Sequence, residues 1–201
     1  RYNQQPCRSS KIQHSRKFAH QFASPVSINT QLNRSLAVRL IYQHKSLHIG
    51  AEIEVKVKAL LQRVSQASVT IAGAEVASIA GGLLVLVGIE PEDTQSSVEK
   101  MLHKLLNYRV FADEQGRMNQ SLTDIQGGLL LVSQFTLAAD TRSGLRPGFS
   151  TAAAPEQAEA LFNTLVSLAQ ERHADVQTGR FGADMQVQLT NDGPVTFMLQ
   201  V

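Results

Sequence analysis

The chain has one cysteine, Cys7, so no disulfide can form within it, which fits a reducing compartment. Tryptophan is absent, and aromatic residues make up only 5% of the sequence. No apolar run approaches the ~18 residues of a membrane-spanning helix. The longest, Leu83 to Ile89, has the length of a strand. Beyond residue 56 there is no cysteine at all, which excludes thiol nucleophiles and Cys-bound zinc from that part. Two histidines remain there, His103 and His173, both on predicted helices and expected to face solvent. No HExxH or other dense His/Asp/Glu spacing is present, so a catalytic zinc site is not expected. Neither GxGxxG nor GxxxxGK[ST] occurs, and there is no GxSxG elbow. A Ser/His/Asp triad would require the fold to bring one of the two histidines beside a serine.

What is present divides into two parts. Residues 1–56 carry nine Lys/Arg and two acids, a net charge of +7, whereas residues 57–201 carry ten basic and fifteen acidic residues, net −5. The first part lacks a sustained period of 2 or 3.6 and is rich in Ser, Gln, Asn, His and Arg. Three readings compete for it: sequence outside the native fold, a transit peptide, or a basic arm for RNA. It is expected to be largely disordered, with a short helix or strand around Leu36 to Tyr42. The second part is dense in apolar residues and mildly acidic. That argues against a broad nucleic-acid-binding face but not against a small local one.

From Val57 the pattern predicts an α+β, β-rich layered domain with two main helices, covering residues 57–201. Strands are expected at 58–66 and 68–71, at 74–79, and through the continuous apolar run 83–89, which reads as buried on both faces. Pro91, Asp93 and an N-cap at Thr94 open a helix carrying Val98, Met101, Leu102, Leu105 and Leu106 at helical spacing. A strand at 108–111 and a turn at 113–116 follow. Gly127-Gly128 then introduce a second buried strand, LLLVSQFTL. A polar loop spans 138–150, and Pro155 starts a helix with Ala158, Leu161, Phe162, Leu165, Leu168 and Ala169 on its apolar stripe. Short strands near 174–179, 184–190 and 195–200 complete the chain.

Two polar clusters interrupt apolar strands. Ser133-Gln134-Phe135-Thr136 ends LLLV; as a strand it would put Ser133 and Phe135 on one face, Gln134 and Thr136 on the other. It reads either as a strand end fraying into a loop or as the lining of a pocket. Asn191-Asp192-Gly193-Pro194 reads either as an ordinary turn before an edge strand or as a rigid corner with a purpose. A proline donates nothing to a sheet ladder, and a glycine beside it has no side chain to pack.

Taken in order, SQFT at 133–136 and NDGPVT at 191–196 resemble the two signature motifs of the D-aminoacyl-tRNA deacylases of bacteria and most eukaryotes. QRV at 62–64, LVGI at 86–89, NYRVF at 107–111, MNQSL at 118–122, RPGFS at 146–150 and TGRFGADMQV at 178–187 match as well. The match begins at VKALLQRV, where such a protein would begin MKALLQRV, so Val57 is expected to be the native start and residues 1–56 extraneous. The resemblance implies a cytoplasmic ester hydrolase without metal or organic cofactor. It would release a D-amino acid, and glycine mischarged on tRNA-Ala, from the 3′-terminal adenosine of tRNA. It also implies a homodimer with a pocket at each subunit boundary and no membrane association. Main-chain atoms of Ser133, Gln134, Phe135 and Thr136 would carry the catalysis, with the ribose 2′-OH of the tRNA helping to activate water. Thr136 as a covalent nucleophile is the rival within the family. Gly193 and Pro194, joined by a cis bond in the family, would enter the partner's pocket and reject L-amino acids by steric exclusion. Asn191, Val195 and Thr196 would support that corner, and Arg63 would either brace it from beneath or stand as a solvated strand-edge arginine. Arg146 and Arg180 are expected either to contact phosphates or to be solvated. Two other classes stay open: a non-catalytic tRNA-binding module using the same pocket, and a general small-ester hydrolase with a Ser/His site.

Overall fold

The computed structural model describes residues 57–201. The expectations for residues 1–56, including the element around Leu36 to Tyr42, lie outside the described residues. Among the described residues, eight strands and three α-helices follow one another. Their order is β1 (Lys58–Ile71), β2 (Ala74–Ile79), β3 (Gly82–Gly88), α1 (Gln95–Asn107), β4 (Phe111–Ala112), β5 (Met118–Gln120), α2 (Leu122–Ile125), β6 (Gly128–Ser133), α3 (Pro155–Arg172), β7 (Val176–Thr178) and β8 (Gln186–Gln200). A 3-10 turn at Phe135–Ala138 follows β6. The expected α+β class with two main helices holds; α2, one turn capped by Ser121 and Asp124, carries too little pattern to be seen in advance.

One six-stranded mixed sheet runs β2-β1-β3-β6-β7, with β8 joining on β1; β4 and β5 form a separate ribbon. The long strand β1 is shared. Lys58–Val64 pairs antiparallel with β3 and Ala67–Ile71 with β2, while β8 lies antiparallel along it from Lys58 to Thr70. Two strands expected at 58–66 and 68–71 are therefore one. Similarly, the segments expected at 184–190 and 195–200 are two ends of the single strand β8.

The apolar runs of β3 and β6 do face two ways. Leu83, Val85, Val87, Leu129 and Leu131 pack against α1 and α3 in the main core. Leu84, Leu130 and Val132 point to the opposite face, where Val64, Ala67 and Val69 of β1 and Ala77 and Ile79 of β2 cover them. The sheet thus curls over its own centre, giving a layer of helices, a buried layer of β3 and β6, and a second β layer. Each of the fully buried leucines on these elements contributes about 1.5–3 kcal/mol through removal from water.

The parallel pairing of β3 and β6 starts at Gly82 and Gly128. A Cβ on Gly82 would lie 2.0 Å from the Gly128 carbonyl oxygen, so this close approach requires glycine. α1 is capped by Thr94, whose hydroxyl and the Ser97 side chain satisfy each other's backbone N–H. α3 has Pro155 in its first turn, and it buries Ala158, Phe162, Leu165 and Ala169.

Candidate active site

The SQFT segment is not a strand throughout. β6 ends at Ser133, paired with Val87 of β3, and Gln134 N–H donates to the Val87 carbonyl at 2.7 Å. The chain then tightens into the 3-10 turn, closed by Leu137 N–H on Gln134 O and Ala139 N–H on Thr136 O. The expected alternation of side chains beyond Ser133 is replaced by a turn because Gln134 leaves the extended conformation (φ −145°, ψ 82°). Both readings of the cluster hold: the strand ends here, and the turn lines a cavity. Gln134 Nε2 donates to Thr136 Oγ1 at 2.6 Å, so each polar side chain has a partner within the turn. The N–H groups of Phe135 and Thr136, first in the turn, donate to no acceptor among the described residues.

A cavity of about 490 Å³ opens beside this turn, bounded by Ser133, Gln134, Phe135, Pro155, Phe181 and Met185. Among the described residues Asp184 supplies the only ionisable side chain on its wall. Phe135 is exposed and meets exposed Phe149 of the 138–150 loop, ring centroids 5.1 Å apart and tilted by 52°. Phe149 and Asp184 were visible in the sequence only as members of RPGFS and TGRFGADMQV, with no periodicity to single them out.

The second cluster is an outpocketing of β8. Gln62 pairs with Thr196 and Val64 with Asn191, so the four residues Asp192–Val195 face the single residue Arg63. The Gly193-Pro194 bond is cis. Asn191 ties the neck of the loop: its Oδ1 accepts the Val195 N–H at 2.7 Å, and its Nδ2 reaches Thr196 Oγ1 at 2.9 Å. Arg63 is not a solvated strand-edge arginine. Its Nε contacts the Asp192 carbonyl at 3.1 Å and the Asp192 carboxylate at 3.0 Å, while Nη1 donates to Val110 O at 2.6 Å. Gly193 and Pro194 themselves are exposed, and neither lines the SQFT cavity of their own chain.

Three expectations need correction. His173 does not face solvent: as the C-cap of α3 it is buried, its Nε2 hydrogen-bonded to Gly127 O at 2.6 Å. The sequence placed it on the helix, but one residue past the end the chain turns inward. The strand expected at 108–111 shrinks to Phe111–Ala112, because Tyr108 caps α1. The FTL of LLLVSQFTL is the 3-10 turn. His103 is exposed as expected, and so are Arg146 and Arg180. Neither of these histidines lines the SQFT cavity, so among the described residues no Ser/His pair meets there. Among the described residues no helix is long and apolar enough to cross a membrane.

A family model described as D-Tyr-tRNA(Tyr) deacylase matches residues 60–200. A D-aminoacyl-tRNA deacylase of Azotobacter vinelandii is 67% identical over 143 residues, spanning 71% of this chain and 99% of the relative. Its counterpart in Pseudomonas aeruginosa is 68% identical over the same shares. Among solved structures, a c-Myc DNA unwinding element binding protein superposes with a TM-score of 0.68 at 44% identity, over 71% of this chain and 97% of its own. A probable eukaryotic D-amino acid tRNA deacylase has the same fold at 16% identity, with a TM-score of 0.65 over 73% of this chain and 100% of its own. By these matches the chain belongs to the D-Tyr-tRNA(Tyr) deacylase family.

Proposed function

We propose that this protein hydrolyses the ester of D-aminoacyl-tRNA, releasing free D-amino acid and tRNA. The observations that carry the reading are that Ser133, Gln134 and Phe135 of the SQFT turn line the 490 Å³ cavity, and that the Phe135 and Thr136 N–H groups of the same turn have no acceptor among the described residues. An aminoacyl ester is already activated, so hydrolysis needs a placed water and donors for the oxyanion that develops on the carbonyl oxygen. The N–H groups of Phe135 and Thr136 are those donors, with Ser133 and Gln134 shaping the ester site around them. The exposed rings of Phe135 and Phe149 offer faces for the terminal adenine, since base–aromatic stacking is worth about 1–3 kcal/mol. Among the described residues no histidine or lysine lines the cavity. Thr136 therefore has no side-chain base of that kind, and its hydroxyl accepts from Gln134. Water activation falls to the substrate's own 2′-OH, and Thr136→Ala retains turnover; its loss with tRNA binding intact would make Thr136 the nucleophile.

Gly193 and Pro194 belong, in this reading, to the cavity of a second copy of the chain. They are exposed, are held in shape by Asn191 and Arg63, and are absent from the wall of their own chain's site. Their backbone meets the substituent of an L-amino acid and leaves that of a D-amino acid free. Glycine has no substituent and passes, so glycyl-tRNA mischarged on tRNA-Ala is also a substrate. The place of action is the cytoplasm, where aminoacyl-tRNA is used. The test is hydrolysis of matched D- and L-tyrosyl-tRNA by the full chain. Fast release from the D-ester alone is expected. Equal release from both would remove the chiral corner, and release from neither would remove the enzyme.

A further inference from the structure

A second cavity, of about 370 Å³, lies one turn beyond Thr136 and is walled by Lys58, Glu90, Asp140, Thr141, Arg142 and Thr151. The two cavities share no wall residue, but one loop links this cavity to the SQFT turn. The loop between the 3-10 turn and α3 is pinned by reciprocal bonds between Asp140 and Gly148, at 2.7 and 2.9 Å, and by the Thr151 hydroxyl on Ala138 O. On that loop Phe149 meets Phe135, while Asp140, Arg142 and Thr151 face the second cavity. The Asp140–Gly148 bonds hold the wall of this cavity beside Phe149, the neighbour of Gly148 in the loop.

We propose that this cavity holds the nucleotide on the 5′ side of the terminal adenosine and reads its base edge. The inference rests on the deacylase reading for the identity of the RNA. Its charges point to a base rather than a phosphate. Lys58 Nζ lies 2.6 Å from Glu90 Oε1, and Arg142 holds both Asp140 oxygens at 2.9 and 2.8 Å. The two cations and two carboxylates cancel, so a phosphate would have to displace an ion pair to bind. A base edge needs donors and acceptors side by side, which paired charges supply: carboxylate oxygens accept from an exocyclic amine, while ammonium and guanidinium donate to a carbonyl or ring nitrogen. Cytosine presents that combination. The volume falls within the roughly 300–1,000 Å³ of pockets that take small ligands.

The experiment compares three D-tyrosyl esters with the full chain: adenosine, the dinucleotide CpA, and the same dinucleotide with its 5′ base removed. The CpA ester is expected to exceed the adenosine ester in kcat/KM by about tenfold, and the abasic ester to fall back to the adenosine level. Arg142→Gln, a change at an exposed loop position, is expected to erase most of the CpA advantage and leave the adenosine ester unchanged. Equal rates for CpA and adenosine would overturn the proposal. An undiminished abasic ester would overturn it in favour of a phosphate contact, and so would an equal fall of all three in the variant. Calorimetry with uncharged CpA and its abasic form separates this from the deacylase reading. Tighter binding of CpA without any ester hydrolysis would keep the subsite and sink the enzyme. Equal binding of the two would sink the subsite whatever the turnover.

Discussion

At Gly193 the backbone stands at φ +128°, where a side chain is strained, and an added Cβ would lie 2.8 Å from Val195 Cγ2 and 3.0 Å from Arg63 Nη2. Gly193→Ala should therefore cost about 1–3 kcal/mol locally and distort the corner rather than the sheet. The expected result is a melting temperature lowered by about 5 °C and a D-tyrosyl-tRNA rate lowered at least tenfold, read by calorimetry and ester hydrolysis on the same sample. Asp93 behaves differently. It is buried before α1, its Oδ2 accepts the Glu90 N–H at 2.7 Å, and its Oδ1 has no partner among the described residues. Burial raises its carboxyl to about 6. A folded-state value above the unfolded one means that the native state holds the proton more tightly, so stability is lost as pH rises from about 4 to 6. Asp93→Asn should gain on the parent over that window by roughly 2–3 kcal/mol, seen as a widening gap in thermal melts between pH 4 and pH 7. A constant gap would contradict it. Asp113, Asp124 and Asp140, lowered chiefly by their hydrogen bonds, oppose this trend only below about pH 4.

The elements whose apolar residues recur at one period were legible in the sequence. α1, α3, β2 and β3 lie within a residue or two of their expected places, and β6 begins within one residue of its own but ends four early, because burial on known faces fixes the apolar parts. The glycines at 82 and 128 mark a deeper constraint, an approach of two backbones that leaves no room for Cβ. Gly82→Ala should cost more than about 3 kcal/mol and yield little folded protein, whereas Gly116→Ala, where nothing lies within 4 Å, should fold with a much smaller loss. Solubility and melting of the two variants check this. Pairing across distance was not legible. Nothing local says that 184–190 and 195–200 are one strand on β1 interrupted at Arg63, since the interruption is defined by the register of the partner. Nor does LLLVSQFTL announce its turn, because Phe, Thr and Leu suit a strand equally well and the decision lies with Gln134 bonded to Val87. SQFT and NDGPVT were legible as motifs, while the faces they present, and the company of Phe149 and Asp184, came only with tertiary contact.

For the whole molecule, the proposal that the exposed corner enters the cavity of a second chain requires two copies. Light scattering should give twice the 22.0 kDa of the chain. A sharper check mixes a Gly193→Ala chain with one crippled in the SQFT turn. If each site joins one chain's turn to the other's corner, the mixed dimer has one intact site, and about a quarter of the parental sites reappear. No recovery would place turn and corner in the same chain. The outpocketing of β8 also bears on a different matter. Among the described residues β8 is hydrogen-bonded on β1 alone, which leaves its far edge open along its length. An open edge of that kind is a template for stray strands from other chains. Asp192–Val195 breaks the template into two short pieces, with a proline in the gap and an aspartate beside it. Excising those four residues would therefore do more than empty the site: it would leave one uninterrupted edge, and the shortened chain would be the more prone of the two to grow into aggregates.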